Sequence, residues 1–472
     1  ASFGVFEYTD NGSTITIDGI GATSEVNFVI PPIIDGKPVT TIGQYAFYGR
    51  QQIKSILIPP SVTTIGTGAF VSCRQLTSLS IPSGVTVIEP GTFSSCDKLT
   101  TINLPGTVIQ IGADAFSYCK SLKSFQMPDA ETSIREDVFR ECTSLTTVTY
   151  SQNVTSIGAG AFSGCVNLTT APNLEKITSL GEFAFAGSGI TKIVIPDNVK
   201  SIGQWAFSYC PNLRTVVIGN GLSIIDDKMF TDCTALTHVT LPDTVRIIGT
   251  SAFQGCALTQ IDLKGVRQIA PNAFTQCGQL TTVTIPRSVN NIGTHAFYDC
   301  GQLASAVFEG NAPTMGTLVF GKSAPEFQVI VSDESKRFTV PRWQGYRLSL
   351  PKEEIAVQLV GGEYIFDSAH SAKFGIVLEG KRSAPTLYTI RNVGNRKLKG
   401  LSALIRGGDA KDFQITIPMK GSLAPGKSTT LGIAFKPKDK GKRKSTLQIM
   451  SSDANESPFE IALSGIGLRE LK

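Results

Sequence analysis

The side chains best equipped for chemistry in this chain are its cysteines, and their spacing argues against a reactive role. Cys73, Cys96, Cys119, Cys142, Cys165, Cys210, Cys233, Cys256, Cys277 and Cys300 recur mostly at intervals of 23 residues. A thiolate can be a nucleophile or a metal ligand. However, no Cys-x-x-Cys pair occurs, and the histidines His238, His295 and His370 do not cluster. If successive cysteines stack in a ladder about 5 Å apart, neighbours approach disulfide geometry, but one cysteine cannot bridge both of its neighbours. The ladder therefore reads as small buried thiols packing as weak hydrophobes. No metal and no cofactor is expected.

The remaining candidates for catalysis are sparse. His238 and Asp262 fall on the same outward face but two repeats apart, and no serine sits on a nucleophile elbow, so they make no triad. His295 occupies a repeat slot filled elsewhere by Gly68, Gly160 and Trp205, and reads as a variant of that slot. Phosphate loops, dinucleotide fingerprints and zinc-protease motifs are missing. The chain is expected not to be an enzyme. The clearest electrostatic feature is the basic run Lys436, Lys438, Lys440, Lys442, Arg443 and Lys444, interrupted by Asp439 alone. Lys440-Gly441 divides two strand-like runs, which predicts a hairpin turn that could touch an anionic surface. No aromatic residues interleave it as single-stranded nucleic acid would require.

These residues must be positioned by a repeat. A phenylalanine returns at Phe47, Phe70, Phe93, Phe116, Phe139, Phe162, Phe185, Phe207, Phe230, Phe253, Phe274 and Phe297. Its frame is Ile five residues before, Ala just before, Cys three after and Leu six after, as in Ile88, Phe93, Cys96 and Leu99. A period in the twenties marks a solenoid of stacked coils. In each coil Leu-x-x-Ile-x-Ile-Pro supplies a short strand, ended by a proline that has no amide to donate. Residues 1–38 read as an N-terminal cap, 39–308 as the solenoid of about 12 coils, and 309–350 as a C-terminal cap and connection in which Trp343 and Tyr346 cover the last coil. The outward strand positions Ser78, Ser80, Thr101, Asn103, Ser124, Gln126, Thr147, Thr149, Thr215, His238, Thr240, Gln260, Asp262, Thr282 and Thr284 form a face that is mostly hydroxylic and nearly uncharged. It lacks paired acids for glycoside hydrolysis and a basic stripe for nucleic acid.

Residues 351–467 differ. Seven short alternating runs, from Ile355–Leu359 to Phe459–Ser464, are separated by turn signals such as Asn395, Gly407-Gly408 and Ala424-Pro425-Gly426, the pattern of a β-sandwich. From 352 onward there are 20 Lys and Arg against 12 Asp and Glu, whereas the first 351 residues hold 23 against 26, so the net charge of +5 comes from the C-terminal part. Residues 468–472 read as a tail, and Ala1 in place of Met reads as a processed start. No apolar run is long enough for a membrane helix.

The repeat closely resembles the BspA-like, or Treponema-type, leucine-rich repeats: Ile111, Gly112, Ala115, Phe116, Cys119, Leu122 and Ile157, Gly158, Ala161, Phe162, Cys165, Leu168 match their pattern position by position. The coil at Ile134 departs, with Arg135 for Gly and Val138 for Ala. The coil at Leu168 leads into Ala171-Pro172 in place of Ile-Pro, which predicts a loosened ladder there. The C-terminal part looks like the choice-of-anchor D or ASPM–SPD-2–Hydin type of immunoglobulin-like domain, on Thr389-Ile390-Arg391-Asn392-Val393-Gly394, Phe435-Lys436-Pro437 and Ile461 to Gly467. The resemblance implies a bacterial protein, secreted or on the cell surface, that recognises or adheres to a host or bacterial surface protein or glycan without catalysing a reaction. The alternative is a structural cell-envelope protein with no discrete ligand. An enzymatic site around Asn311 to Arg347 is the remotest reading.

Overall fold

The computed structural model is all-β apart from one 3-10 turn at Ala410–Asp412. It describes residues 1–331, 338, 342–349, 355–360, 364–365, 371–394, 397–424, 426–452 and 457–469. His370, Asn395, Pro425 and the last residues of the tail lie outside the described residues. The chain divides into two compact units: Ala1–Val283 with Ser288–Leu303 and Pro313–Pro325, and Thr284–Arg287 with Ala304–Ala312 and Glu326–Lys472.

The first unit opens with the cap. Ser2–Phe3, Phe6–Asp10 and Ile15–Ile20 form an antiparallel meander, and Ile15–Ile20 then pairs in parallel with Lys37–Ile42. The Asn11-Gly12 turn forms as its dipeptide predicts: Gly12 takes φ +91° and donates its N–H to Asp10 Oδ1 at 2.8 Å. This meander covers the core that a bare first coil would leave open.

Each regular coil has three sides. One is a three- or four-residue strand, in register with its neighbours, as in Thr101↔Ser78 and Asn103↔Ser80. The second is a two-residue strand such as Val87–Ile88, paired with Gln110–Ile111. The third is a turn that carries the Phe. Residues two before and two after the Phe hold positive φ there, for example Tyr45 (+56°) and Gly49 (+70°). This alternation aims every second N–H at the next coil: Tyr45 donates to Thr67 O, Phe47 to Ala69 O and Gly49 to Val71 O, at 2.8–3.0 Å. Such left-handed residues cost of order 1 kcal/mol each unless glycine, and the inter-coil bonds hold them in place.

The Phe rings stack in one column, with centroids 5.0–6.0 Å apart and planes within 4–17° of parallel. The column runs one member beyond the sequence frame. Phe320 stacks on Phe297 at 5.5 Å, and Thr314–Met315 pairs with Asn291–Ile292, so the coil pattern continues where the sequence register looked lost. Beside the rings, each of the ten cysteines donates its S–H to the carbonyl of the Phe one coil earlier, at 3.0–3.3 Å. All ten are free and buried.

In the second unit, Ser305–Phe308, Gln328–Val331 and Tyr346–Ser349 form a parallel ladder. Trp343 packs on Phe308 at 5.4 Å and on Phe338 at 4.5 Å, and Tyr346 sits 5.6 Å from Phe327. The sandwich follows. One sheet runs Tyr364–Ile365, Ile355–Leu359, Thr386–Asn392, Ser428–Phe435, Phe413–Ile417; the other runs Ser371–Leu378, Phe459–Leu468, Gly441–Met450, Ser402–Arg406. Tyr388, Ile390, Ile433, Phe435, Leu447 and Ile461 build the core between them. Tyr364–Ile365 and Ser402–Arg406 are strands in addition to the seven runs read from sequence.

Candidate recognition surfaces

The strand face of the solenoid is exposed but segmented. Ser78, Ser80, Thr101, Asn103, Ser124, Gln126, Thr147, Thr149, His238, Thr240, Thr282 and Thr284 are exposed, and Thr215 is half-buried. Register brings them into rows: Ser124 pairs with Thr147, Gln126 with Thr149, Thr215 with His238 and Val217 with Thr240. Thr101, Asn103, Ser124, Gln126 and Asp129 contribute to the lining of a shallow depression of ≈ 610 Å³.

Two coils interrupt the face. At 169–173, where Ala171-Pro172 replaces Ile-Pro, no strand forms, and an open hollow of ≈ 520 Å³ lies between Thr170 and Val194. Gln260 and Asp262 are exposed but belong to no strand, because the coil between Phe253 and Phe274 is shortened. His238 Nδ1 lies 2.8 Å from Thr237 Oγ1, and Asp262 Oδ1 accepts the N–H of Lys264 at 3.0 Å. Both are engaged locally. His295 holds φ +60° with its ring 4.8 Å from Tyr298 and behaves as a turn residue.

The basic run requires two corrections. It is not a hairpin turn: Ser428–Phe435 and Gly441–Met450 belong to opposite sheets, so Lys436 to Lys440 form an arch between them. Buried Pro437 and the bonds from Lys436 N–H to Asp412 O and from Lys438 N–H to Asp412 Oδ1 fix that arch. Nor is Arg443 a free cation. Its guanidinium lies 3.4 Å from Asp409, 3.2 Å from Asp412 and 3.8 Å from Asp439, and its side chain is 19% exposed. The Nε–Asp412 approach is ionic and lacks a hydrogen-bonding geometry. Strand alternation explains this: counting back by twos from inward Ile449 and Leu447 reaches Arg443, and leaves Lys442 and Lys444 outward. Lys436, Lys438, Lys440, Lys442 and Lys444 are exposed. Lys436 and Lys438, with Lys411, Arg469 and Glu379, border a depression of ≈ 620 Å³.

Burial pushes nine of the ten ladder thiols up, to about 12 at Cys73, Cys119 and Cys300; Cys210 is shifted down, chiefly by its pairing with Cys233. At neutral pH the nine raised thiols are protonated hydrogen-bond donors, not nucleophiles. Among the described residues no cluster of three or more His, Cys, Asp or Glu is placed to hold a metal ion, and no helix is long and apolar enough to cross a membrane.

Sequence reading missed two features. Glu131 stands in the column filled elsewhere by Val85, Val108 and Val154, yet is 1% exposed. The two-residue ladder is broken between Gln110–Ile111 and Ser133–Ile134, and the Glu131 carboxylate takes the freed N–H groups of Ile111 (2.7 Å), Thr132 (3.2 Å) and Ser133 (3.4 Å). The second is the set of exposed aromatic rings on the turn side, legible only when the slots two before and two after each Phe are read down the coils.

Comparison with known proteins agrees with this architecture. The family described as BspA type leucine rich repeat region matches residues 27–146, 132–246 and 206–326. The family described as HYDIN/CFA65/VesB-like, Ig-like domain matches residues 366–465. A leucine-rich repeat protein from Bacteroides ovatus is similar at 24% identity and TM-score 0.49, covering 75% of this chain and 100% of its own. A leucine rich cell surface protein from Faecalibacterium prausnitzii is similar at 26% identity and TM-score 0.49, covering 71% of this chain and 94% of its own. The ASH / PapD-like domain of human CEP192 aligns over 26% of this chain and 89% of its own, at 18% identity and TM-score 0.18. No curated protein matches the chain.

Proposed function

We propose that this chain, which belongs to the BspA-type leucine-rich repeat family, is a non-enzymatic recognition protein, secreted or displayed on a bacterial surface, that binds a surface protein or glycan. The observation that carries this reading is the division of labour in the solenoid. Its thiols and Phe rings are buried and committed to the fold, while coil after coil exposes an ordered polar surface. A repetitive surface gains contact by area and by multivalent display, with modest affinity at any one site. The sandwich serves as spacer or second binding module through its exposed lysines.

The test is binding of the whole chain to an array of host matrix proteins and of host and bacterial glycans at low and high salt. Saturable, salt-tolerant binding that falls by about tenfold or more in a Gln126→Arg/Thr149→Arg variant supports recognition by the strand face, since two bulky charges would stand across it. Binding abolished by salt and by Lys436→Glu/Lys438→Glu would move the function to the lysine arch. Absence of binding to every member of the array would favour the envelope-structural alternative.

A further inference from the structure

The turn side of the solenoid carries the aromatic anchors that the strand face lacks. Among the described residues, the exposed aromatic side chains Tyr45, Tyr48, Tyr118, Phe183 and Tyr209 all stand on the turns, and Phe3 in the cap is the exception. The densest group lies in two adjacent coils. The Phe183 ring stacks on Trp205 at 5.7 Å, Trp205 lies parallel to Tyr209 at 6.1 Å, and Lys228 Nζ sits 4.4 Å over the Trp205 ring. Phe183 is 41% and Tyr209 52% exposed.

Next to this group the side chains stop. Gly160, Gly164 and Gly187 take the left-handed slots that Phe183 and Tyr209 take in their own coils. A Cβ on Gly187 would meet nothing nearer than Gly164 backbone at 3.8 Å. The space above Gly160 is filled by the Asp137 carboxylate, and that above Gly164 by the Glu141 carboxylate. In the column two residues after each Phe, the order along the coils is therefore Glu141 carboxylate, open Gly187, Tyr209 ring. Two coil spacings separate the carboxylate from the ring, roughly 10 Å, with Phe183 on the same coil as Gly187. The result is a notch with an acid at one wall, an aromatic ring at the other and a glycine floor.

The chemistry of the walls selects the guest. Asp137 is paired with Arg140 at 3.1 Å, but the Glu141 carboxylate takes no hydrogen bond from the described residues. A sugar brings acceptors as well as donors. A guanidinium brings donors alone, is planar, and can stack on a ring while it donates to a carboxylate. Lys228 over Trp205 already shows a cation seated on this cluster. We propose that the Gly187 notch is a docking site for an arginine side chain of a protein partner, held between the Glu141 carboxylate and the Tyr209 ring with Phe183 alongside. The proposal rests on the recognition reading for its role, and assigns that role to the turns instead of the strands.

The probe is a synthetic peptide of alternating glycine and arginine, compared with its citrulline counterpart, titrated into the full chain at low salt. Tyr209→Asn and Glu141→Gln are the informative variants. Tyr209 holds φ +56°, and asparagine tolerates that conformation, so the ring is removed without unfolding the turn. The expected result is saturable binding of the arginine peptide alone, weakened on the order of tenfold by either variant and unchanged in the strand-face variant Gln126→Arg/Thr149→Arg. Equal response to the citrulline peptide, or unchanged affinity in both variants, would overturn the site while leaving whole-chain recognition on the array to stand or fall separately. Maltoheptaose binding that Tyr209→Asn removes would reassign the notch to a glycan, and self-association removed by the same variant would reassign it to a second copy of the chain.

Discussion

At the scale of single residues, buried polar groups decide stability, and they divide into satisfied and unsatisfied cases. Glu131 is satisfied: three backbone N–H groups end on its carboxylate at a break in the ladder. Glu131→Ala strands them and is expected to cost about 1–3 kcal/mol, measured by denaturant unfolding; a change near zero would mean that water or a re-formed ladder takes over. Tyr388 is the opposite case. Its hydroxyl is buried without a hydrogen-bond partner among the described residues, and burial pushes its pKa up to about 12, so Tyr388→Phe is expected to leave stability unchanged or raised. The thiols set a pH dependence. In the folded state all of them except Cys210 lie above the ordinary 9.0, at about 12 for Cys73, Cys119 and Cys300. The folded state thus keeps protons that the unfolded chain loses. Their contribution is complete below pH 9.0 and drains away toward about 12. The melting temperature is expected to fall steeply on that alkaline side, and denatured protein should titrate ten free thiols; finding few would contradict the S–H to carbonyl ladder.

At the scale of elements, legibility follows periodicity. The Phe–Cys frame exposed the coil, its core and its outward positions, because one residue type in one slot does the same physical work each time. The Ala171-Pro172 departure also predicts a loosened ladder, and no strand forms at 169–173. What the frame could not reveal is what happens where a slot changes its chemistry. Phe320 stands 23 residues after Phe297, but Met315, Val319, Ser323 and Glu326 replace all four frame residues around it, so its coil reads as a cap although the ring stacks on Phe297 at 5.5 Å. Glu131 breaks a valine column, and nothing in the repeat marks it as the acceptor of backbone N–H groups. The basic run looked like a hairpin because two strand-like runs flanked it, and sequence proximity does not say whether two strands share a sheet. Arg443 was the legible part of that error, since alternation from Ile449 already placed it inward. The arch is accordingly expected to depend on it. Arg443→Ala leaves Asp409 and buried Asp412 without their cation and should destabilise the sandwich by about 3–5 kcal/mol, whereas Lys440→Ala, on an exposed side chain, should fall within about 0.5 kcal/mol.

At the scale of the molecule, a solenoid and a sandwich hold themselves together differently, and that difference is measurable. Successive coils are joined by Phe stacking and turn N–H groups directed along the stack, and ten of them add an S–H to carbonyl bond. Stability is then close to a sum over neighbouring coils, while the sandwich closes its core between two sheets around Tyr388, Ile433 and Leu447. Phe162→Ala removes a fully buried ring from the middle of the column and is expected to cost about 3–5 kcal/mol. The loss should be local. Amide exchange should accelerate in the coils of Phe139, Phe162 and Phe185, fade within a few coils on either side, and leave the amides of Ile433 and Leu447 at their original rates. Acceleration that reached the sandwich would mean that the two compact units unfold as one. Acceleration confined to the single coil would mean that the column couples its neighbours less than the continuous stacking implies. The intermediate range is the one a recognition scaffold needs, because a coil can then change its exposed turn and strand residues without unfolding coils far along the stack.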